Sequence, residues 1–268
     1  MIEEKYEKLK TAVGRLDSAI IAFSGGVDST LVLKVAFDVL KERAVAVTTD
    51  SPSLPRMELE ETKRIAQSIG AMHMIIETQE TEDKDYLKNP NNRCYYCKSE
   101  LYKKLKVISE KLNIKNILNG TNLDDIGDYR PGLKAADEYG VISPLKDAEF
   151  TKKDVRELAN RLGLKAWDKP SSPCLSSRVP YGHEITLKKL RTVEYAENFL
   201  KDLGIRELRV RHFGKTARIE VNEEDRTIIN ENFDSINEKF NEIGFSEIIV
   251  SNFKSGNLNV MLDVRAEN

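Results

Sequence analysis

The chain has 268 residues, 40% hydrophobic and 32% charged, with 42 Lys and Arg against 44 Asp and Glu. That length suits one or two domains with a full-sized core, and no apolar run approaches the ~20 residues needed to cross a bilayer. Basic and acidic residues number 28 and 28 before Pro170, leaving 14 and 16 from there on; neither half has the basic excess of a protein that grips a polyanion, which disfavours a nucleic-acid substrate.

Along the first part of the chain, short apolar runs alternate with amphipathic stretches, the pattern of an α/β domain around a mostly parallel sheet. Strands are expected at residues 19–23, 44–48, 72–76, 116–118 and 141–143, and helices at 30–41, 56–69, 98–112 and 151–162. Gly70 and Gly163 stand where left-handed caps end helices, and Thr151 followed by Asp154 has the spacing of a capping box. A linker rich in Pro, Ser and Gly covers 168–182, so residues 1–170 read as one domain and 171–268 as a second, smaller α+β domain. In the second we expect a helix at 186–203, strands at 208–213 and 217–221, a helix over 222–243, and strands at 247–253 and 257–264.

The first strand runs directly into Ser24-Gly25-Gly26-Val27-Asp28-Ser29. Glycines let a backbone turn tightly with its N–H groups inward, and a following helix N-terminus adds partial positive charge, which together make an anion cradle. Ser24 and Ser29 can donate further hydrogen bonds, and the Asp28 carboxylate suits a Mg²⁺ that bridges phosphate oxygens. The loop lacks the Gly-Lys-Ser/Thr ending of a Walker P-loop, which disfavours simple γ-phosphate hydrolysis. It resembles instead the PP-loop of ATP pyrophosphatases, a resemblance that implies cleavage between the α- and β-phosphates of ATP and transfer of AMP to the acceptor. Gly120 and Asp124, after the fourth strand, belong at the same edge of the sheet, as does Thr48 at the end of the second. All three are candidate nucleotide contacts, with Thr48 at the adenine or ribose.

Cys94 and Cys97 stand at i and i+3 beside Arg93 and Lys98, a setting that favours thiolates. Cys174 follows in the linker segment Pro170-Ser171-Ser172-Pro173-Cys174-Leu175-Ser176-Ser177-Arg178. Three thiolates fit either a Zn²⁺ site lacking its fourth ligand or a cubane iron–sulfur cluster with one iron open. The three histidines, His73, His183 and His212, are scattered and form no catalytic pattern. The opening Met1-Ile2-Glu3-Glu4-Lys5 lacks the layout of a secretory signal. We expect a cytoplasmic protein working as a homo-oligomer.

With Ser24 to Ser29, Arg93 to Lys98, Gly120 to Asp125, Ser172 to Gly182 and Leu208 to Gly214 taken together, the chain resembles the ATP-dependent sulfur transferases that build the nickel-pincer nucleotide cofactor of lactate racemase. The resemblance covers nearly the whole sequence. It implies that one carboxylate of pyridinium-3,5-dicarboxylate mononucleotide is adenylated and that sulfur at Cys174 displaces AMP. It also places the chain with the subgroup whose three cysteines, Cys94, Cys97 and Cys174, hold a [4Fe-4S] cluster fed by a sulfide donor. Arg209 and Arg211, alternate residues of one strand, share a face and with Arg178 are expected to bind the anionic substrate. The competing readings are a PP-loop tRNA thiolase with the same cluster chemistry and an amide-forming PP-loop ligase of the NAD or GMP synthetase type.

Overall fold

The computed structural model describes residues 1–127 and 130–253. In chain order the elements are α1 (Ile2–Gly14), β1 (Ala19–Ala22), α2 (Val27–Leu40), β2 (Ala44–Asp50), α3 (Arg56–Ile69), β3 (Met72–Glu77), α4 (Lys84–Leu87), α5 (Arg93–Leu112) and β4 (Asn116–Leu118). They continue with α6 (Pro131–Glu138), α7 (Pro144–Asp147), α8 (Lys152–Arg161), α9 (Leu187–Asp202), β5 (Leu208–Phe213), β6 (Thr216–Val221), α10 (Arg226–Glu231), α11 (Phe233–Glu242) and β7 (Glu247–Asn252). No described helix is long and apolar enough to cross a membrane.

The chain forms two compact units, one of Met1–Glu80 with Asn92–Ser172, the other of Thr81–Asn91 with the chain from Pro173 onward. The transfer of 81–91 to the second unit leaves no mark in composition.

The first unit carries a parallel sheet in the order β3-β2-β1-β4. Its strands are β-branched or Ala at nearly every position because both faces are covered. Alternation sends Ala19, Ile21, Ala44 and Ala46 into a core with α2 and α8. Ile20, Val45 and Val47 go to the opposite face, with Tyr102 and Leu105 of α5 and Ala135 and Ala136 of α6. This is a PP-loop α/β domain. All strand C-termini end on one edge, which is where the Ser24–Ser29 loop lies.

Differences from the sequence reading have local causes. Residues 141–143 form only a bridge, Ile142 to Leu118, and not a strand. Gly140 turns with φ 64° before it and Pro144 opens α7 after it, leaving no room for a longer ladder. Helix α1 carries no clear sequence signal, because only Leu9 and Val13 of its thirteen residues are buried, too sparse an apolar stripe to read. Helices α2 and α5 begin earlier than expected, at Val27 and Arg93, so Asp28, Cys94 and Cys97 all lie in first turns. Thr151 does form a capping box with Asp154.

In the second unit a three-stranded sheet runs β5-β6-β7, with β5 and β6 antiparallel and β6 and β7 parallel. Its apolar face meets α9, α10 and α11 through Leu200, Val210, Ile219, Ile229 and Phe240. The helix expected over 222–243 is two helices broken at Asn232, whose φ of −110° and ψ of 16° are not helical. The expected strand at 257–264 lies outside the described residues.

Candidate active site

Three groups of residues carry the chemistry. The first is the loop between β1 and α2. Gly25 turns with φ 72°, and a side chain there would meet Thr62 Cγ2 at 2.9 Å. Ser29 Oγ donates to the Gly26 carbonyl at 3.1 Å, lies 3.1 Å from Ser24 Oγ, and accepts from Ser24 N at 3.2 Å. The two hydroxyls thus close the loop on itself. Gly120 is pressed against it, since a Cβ there would sit 2.7 Å from Ser29 N and 3.0 Å from Asp28 Cβ. Only glycine lets the chain after β4 pass so close while leaving the Ser29 amide clear.

Asp28 is held from two sides. Its Oδ1 accepts from Asn122 Nδ2 at 3.0 Å, and its Oδ2 pairs with the ammonium of Lys152, from the start of α8. The backbone N–H of the same Lys152 donates to Asp124 Oδ2 at 2.7 Å, which makes Asp124 a brace for Lys152. On the other side of the loop Lys169 Nζ lies 3.4 Å from the Gly25 carbonyl and 2.7 Å from Glu58 Oε2. Both lysines come from far along the chain, which is why a loop-based reading misses them. They give the cradle the positive charge that the loop sequence lacks.

A carboxylate in the first helix turn of an anion cradle fits Mg²⁺ whose remaining ligands are phosphate oxygens and water. Thr48 is less available: it is buried, its hydroxyl donates to the Phe23 carbonyl at 2.8 Å, and it meets His73 Nε2 at 2.8 Å. It orders the sheet edge beneath the loop. Burial, and then Lys63, lowers the pKa of His73, so the imidazole is neutral and can donate to Thr48.

The second group is Cys94 and Cys97, in the first turn of α5. The i, i+3 spacing puts both thiols on one side of the helix, where the N-terminal dipole favours their thiolate forms. Cys94 is exposed, Cys97 half-buried, and neither is in a disulfide. Helix α6 comes close here: a side chain at Gly132 would sit 3.0 Å from Lys98 Cγ and 3.6 Å from the Cys94 carbonyl.

The third group, in the second unit, surrounds Cys174. This half-buried thiol stands just before a short 3-10 turn, Leu175–Arg178. Its main chain is pinned by Arg178, whose Nη1 donates to the carbonyls of Pro173 at 2.6 Å and Cys174 at 3.1 Å and to Ser177 Oγ at 2.9 Å. The rest of that guanidinium forms a two-pronged pair with Glu197, at 2.8 and 2.9 Å. Arg178 is 1% exposed and spent on these partners, which corrects its expected role as a substrate ligand: it holds the cysteine segment. Tyr86 Oη meets Ser176 Oγ at 2.5 Å, and buried Asn89 donates through Nδ2 to the carbonyls of Val179 and Pro180 at 3.1 and 2.8 Å.

Arg211 is likewise engaged, donating to Glu220 Oε2 at 3.0 and 2.7 Å and to the Ser177 carbonyl at 2.7 Å. Arg209 lies against the Phe253 ring, 5.2 Å from its centroid. Burial, followed by repulsion from Arg178, lowers its pKa to about 10. Three guanidiniums and the carboxylates of Glu197 and Glu220 thus crowd one buried patch beside the cysteine segment. Glu194 pairs with Arg191 at 3.0 Å.

The donor set fits an iron–sulfur cluster in kind, with two thiols on one helix turn and a third beside a rigid turn. Among the described residues no three Cys, His, Asp or Glu side chains are gathered as a complete metal site.

Comparison with known proteins agrees with this arrangement. Residues 2–94 match the NAD synthase family model. An uncharacterized protein of Synechocystis sp. is 45% identical over 98% of this chain and 99% of its own length. The pyridinium-3,5-bisthiocarboxylic acid mononucleotide synthase of Lactiplantibacillus plantarum is 36% identical over 95% of this chain and 94% of its own. The chain belongs to that synthase family.

The family placement makes the chain an enzyme and accounts for two regularities. The NAD synthase match ends at Cys94, so it carries the nucleotide loop but neither Cys97 nor the Cys174 segment. A glutamine-hydrolyzing GMP synthase of Archaeoglobus fulgidus is 26% identical over 75% of this chain and 68% of its own, a remoter likeness that shares the loop chemistry. In the synthase family both the loop and the second unit are matched.

Proposed function

We propose that the enzyme is an ATP-dependent sulfur transferase acting on a pyridinium dicarboxylate mononucleotide. The observation that carries this reading is a lysine-free SGGVDS loop at the sheet edge, with Asp28 in the first helix turn and Lys152 and Lys169 brought to its two sides.

In the first step a carboxylate oxygen of the acceptor attacks the α-phosphorus of ATP, and pyrophosphate leaves. The amides of the loop and the two lysines receive the charge that develops on pyrophosphate, while Asp28 holds Mg²⁺ against the phosphate oxygens. In the second step a sulfur nucleophile attacks the activated carbonyl carbon. The carbon–oxygen bond to AMP breaks, AMP departs with its bonding pair, and a thiocarboxylate remains. Arg178 and Glu197 keep the Cys174 main chain fixed for this step, and Arg209 with Arg211 sets a positive field for the anionic acceptor.

Cys94, Cys97 and Cys174 would hold a [4Fe-4S] cluster whose fourth iron is open to the transferable sulfide. The sulfide comes from a separate donor, and no nucleic acid takes part. Support for the acceptor comes from the Lactiplantibacillus plantarum relative, whose name states a bisthiocarboxylic mononucleotide product.

The test is to reconstitute the protein anaerobically with iron and sulfide, measure about four of each per chain as a cubane requires, and supply Mg-ATP with the dicarboxylate mononucleotide. Mass spectrometry should show oxygen replaced by sulfur in the acceptor. Amide formation with ammonia, without any thiolated product, would establish the ligase reading instead.

A further inference from the structure

Lys169 occupies an unusual position. It opens the linker, five residues before Cys174 in sequence, yet its ammonium reaches back to the nucleotide loop. Its main chain is fixed by α8: Arg156 Nη1 donates to the Trp167 carbonyl at 2.7 Å and Nη2 to the Lys169 carbonyl at 3.0 Å. Its side chain is largely buried and shared between Glu58 Oε2 and the Gly25 carbonyl. Gly25 is the residue whose left-handed turn shapes the cradle.

We propose that Lys169 is a ligand of the β- and γ-phosphates that ties occupation of the cradle to the start of the segment bearing Cys174. In the nucleotide-free protein Glu58 holds the ammonium beside the loop. Phosphate oxygens entering the cradle present a denser negative charge at short range than one carboxylate, so the ammonium turns from Glu58 to the ligand. The lysine backbone is anchored to α8, and Pro170 restricts the residue before it, so a shift of the side chain loads the first residues of the linker. Release of pyrophosphate returns the ammonium to Glu58. This inference rests on the ATP reading above and extends it to a residue outside the loop.

The experiment compares wild type with Lys169→Met, Lys169→Arg and Glu58→Gln in full-length protein. It uses calorimetric binding of Mg-ATP, pyrophosphate and AMP, and peptide-resolved alkylation of Cys174 with and without Mg-ATP. The expected result is a loss of about 10- to 100-fold in affinity for Mg-ATP and pyrophosphate in Lys169→Met, the size of one charged hydrogen bond. AMP affinity should stay unchanged, Lys169→Arg should recover part of the loss, and Glu58→Gln should bind pyrophosphate more tightly than wild type. In wild type Mg-ATP should alter the Cys174 alkylation rate, and in Lys169→Met it should not. Unchanged pyrophosphate affinity, or an equal loss for AMP, overturns the assignment, as does an alkylation response that survives in Lys169→Met. Wild-type protein that binds neither ATP nor pyrophosphate would instead overturn the functional reading on which it rests.

Discussion

Lys152 holds Asp28 and Asp124 at once, the first through its side chain and the second through its backbone N–H at 2.7 Å. The start of α8 is therefore a structural part of the nucleotide loop, although 124 residues separate Lys152 from Asp28. Asp28→Asn should bind Mg-ATP weakly and lose at least about a hundredfold in kcat, the usual cost of removing a group that orders transition-state charge. Lys152→Met should mainly raise KM for ATP. Steady-state kinetics on pyrophosphate release separates the two.

Gly120 offers a sharp contrast with Gly127. A methyl group at Gly120 meets Ser29 N at 2.7 Å, whereas one at Gly127 meets nothing within 4 Å. Gly120→Ala should destabilise the loop and abolish ATP binding, and Gly127→Ala should leave both unchanged. Calorimetric titration with Mg-ATP on the two variants checks this.

The Arg178–Glu197 pair is nearly solvent-free, at 2% and 3% exposure. Removing one partner leaves an uncompensated buried charge, so Arg178→Met or Glu197→Gln should cost about 3–5 kcal/mol in urea unfolding of the second unit. The double replacement should cost less than the sum. Cys174 alkylation should quicken in every variant because the pinned carbonyls of Pro173 and Cys174 are released.

Acid should weaken the first unit through Asp154. Burial opposes its ionisation, but hydrogen bonds from Lys5, the Thr151 hydroxyl and the Thr151 amide outweigh that and hold its pKa at about 2, against 3.8 for a free side chain. A depressed carboxylate pKa contributes stability that is complete above the unfolded value and lost as pH falls through the folded one. Asp154→Asn should therefore be less stable at neutral pH and show a flatter loss of stability between pH 3.8 and about 2, followed by circular dichroism.

Much of this is legible in the sequence alone. The loop at Ser24 to Ser29, the strands feeding it and the two-part layout follow from apolar period, glycine placement and linker composition. What escapes is supplied by long-range side chains. Lys152 and Lys169 carry no local signature, because their significance lies in what the fold puts beside them. The arginines mislead in another way: their alternation on β5 reads as an open anion site, yet Glu220 takes Arg211, as Glu197 takes Arg178. Partners on other elements decide such cases, and a single sequence does not display them. The cysteines are visible as chemistry, while the first turn that orders Cys94 and Cys97 depends on a helix start five residues earlier than expected.

The most direct measurement of the central claim follows oxygen. The dicarboxylate mononucleotide is prepared with heavy oxygen in its carboxylates and incubated with reconstituted enzyme, Mg-ATP and sulfide, and the nucleotide products are resolved by mass. Adenylation followed by sulfur attack predicts one heavy oxygen in AMP for each sulfur gained by the acceptor. Unlabelled AMP beside a thiolated product, or ADP and phosphate as the nucleotide products, would contradict it.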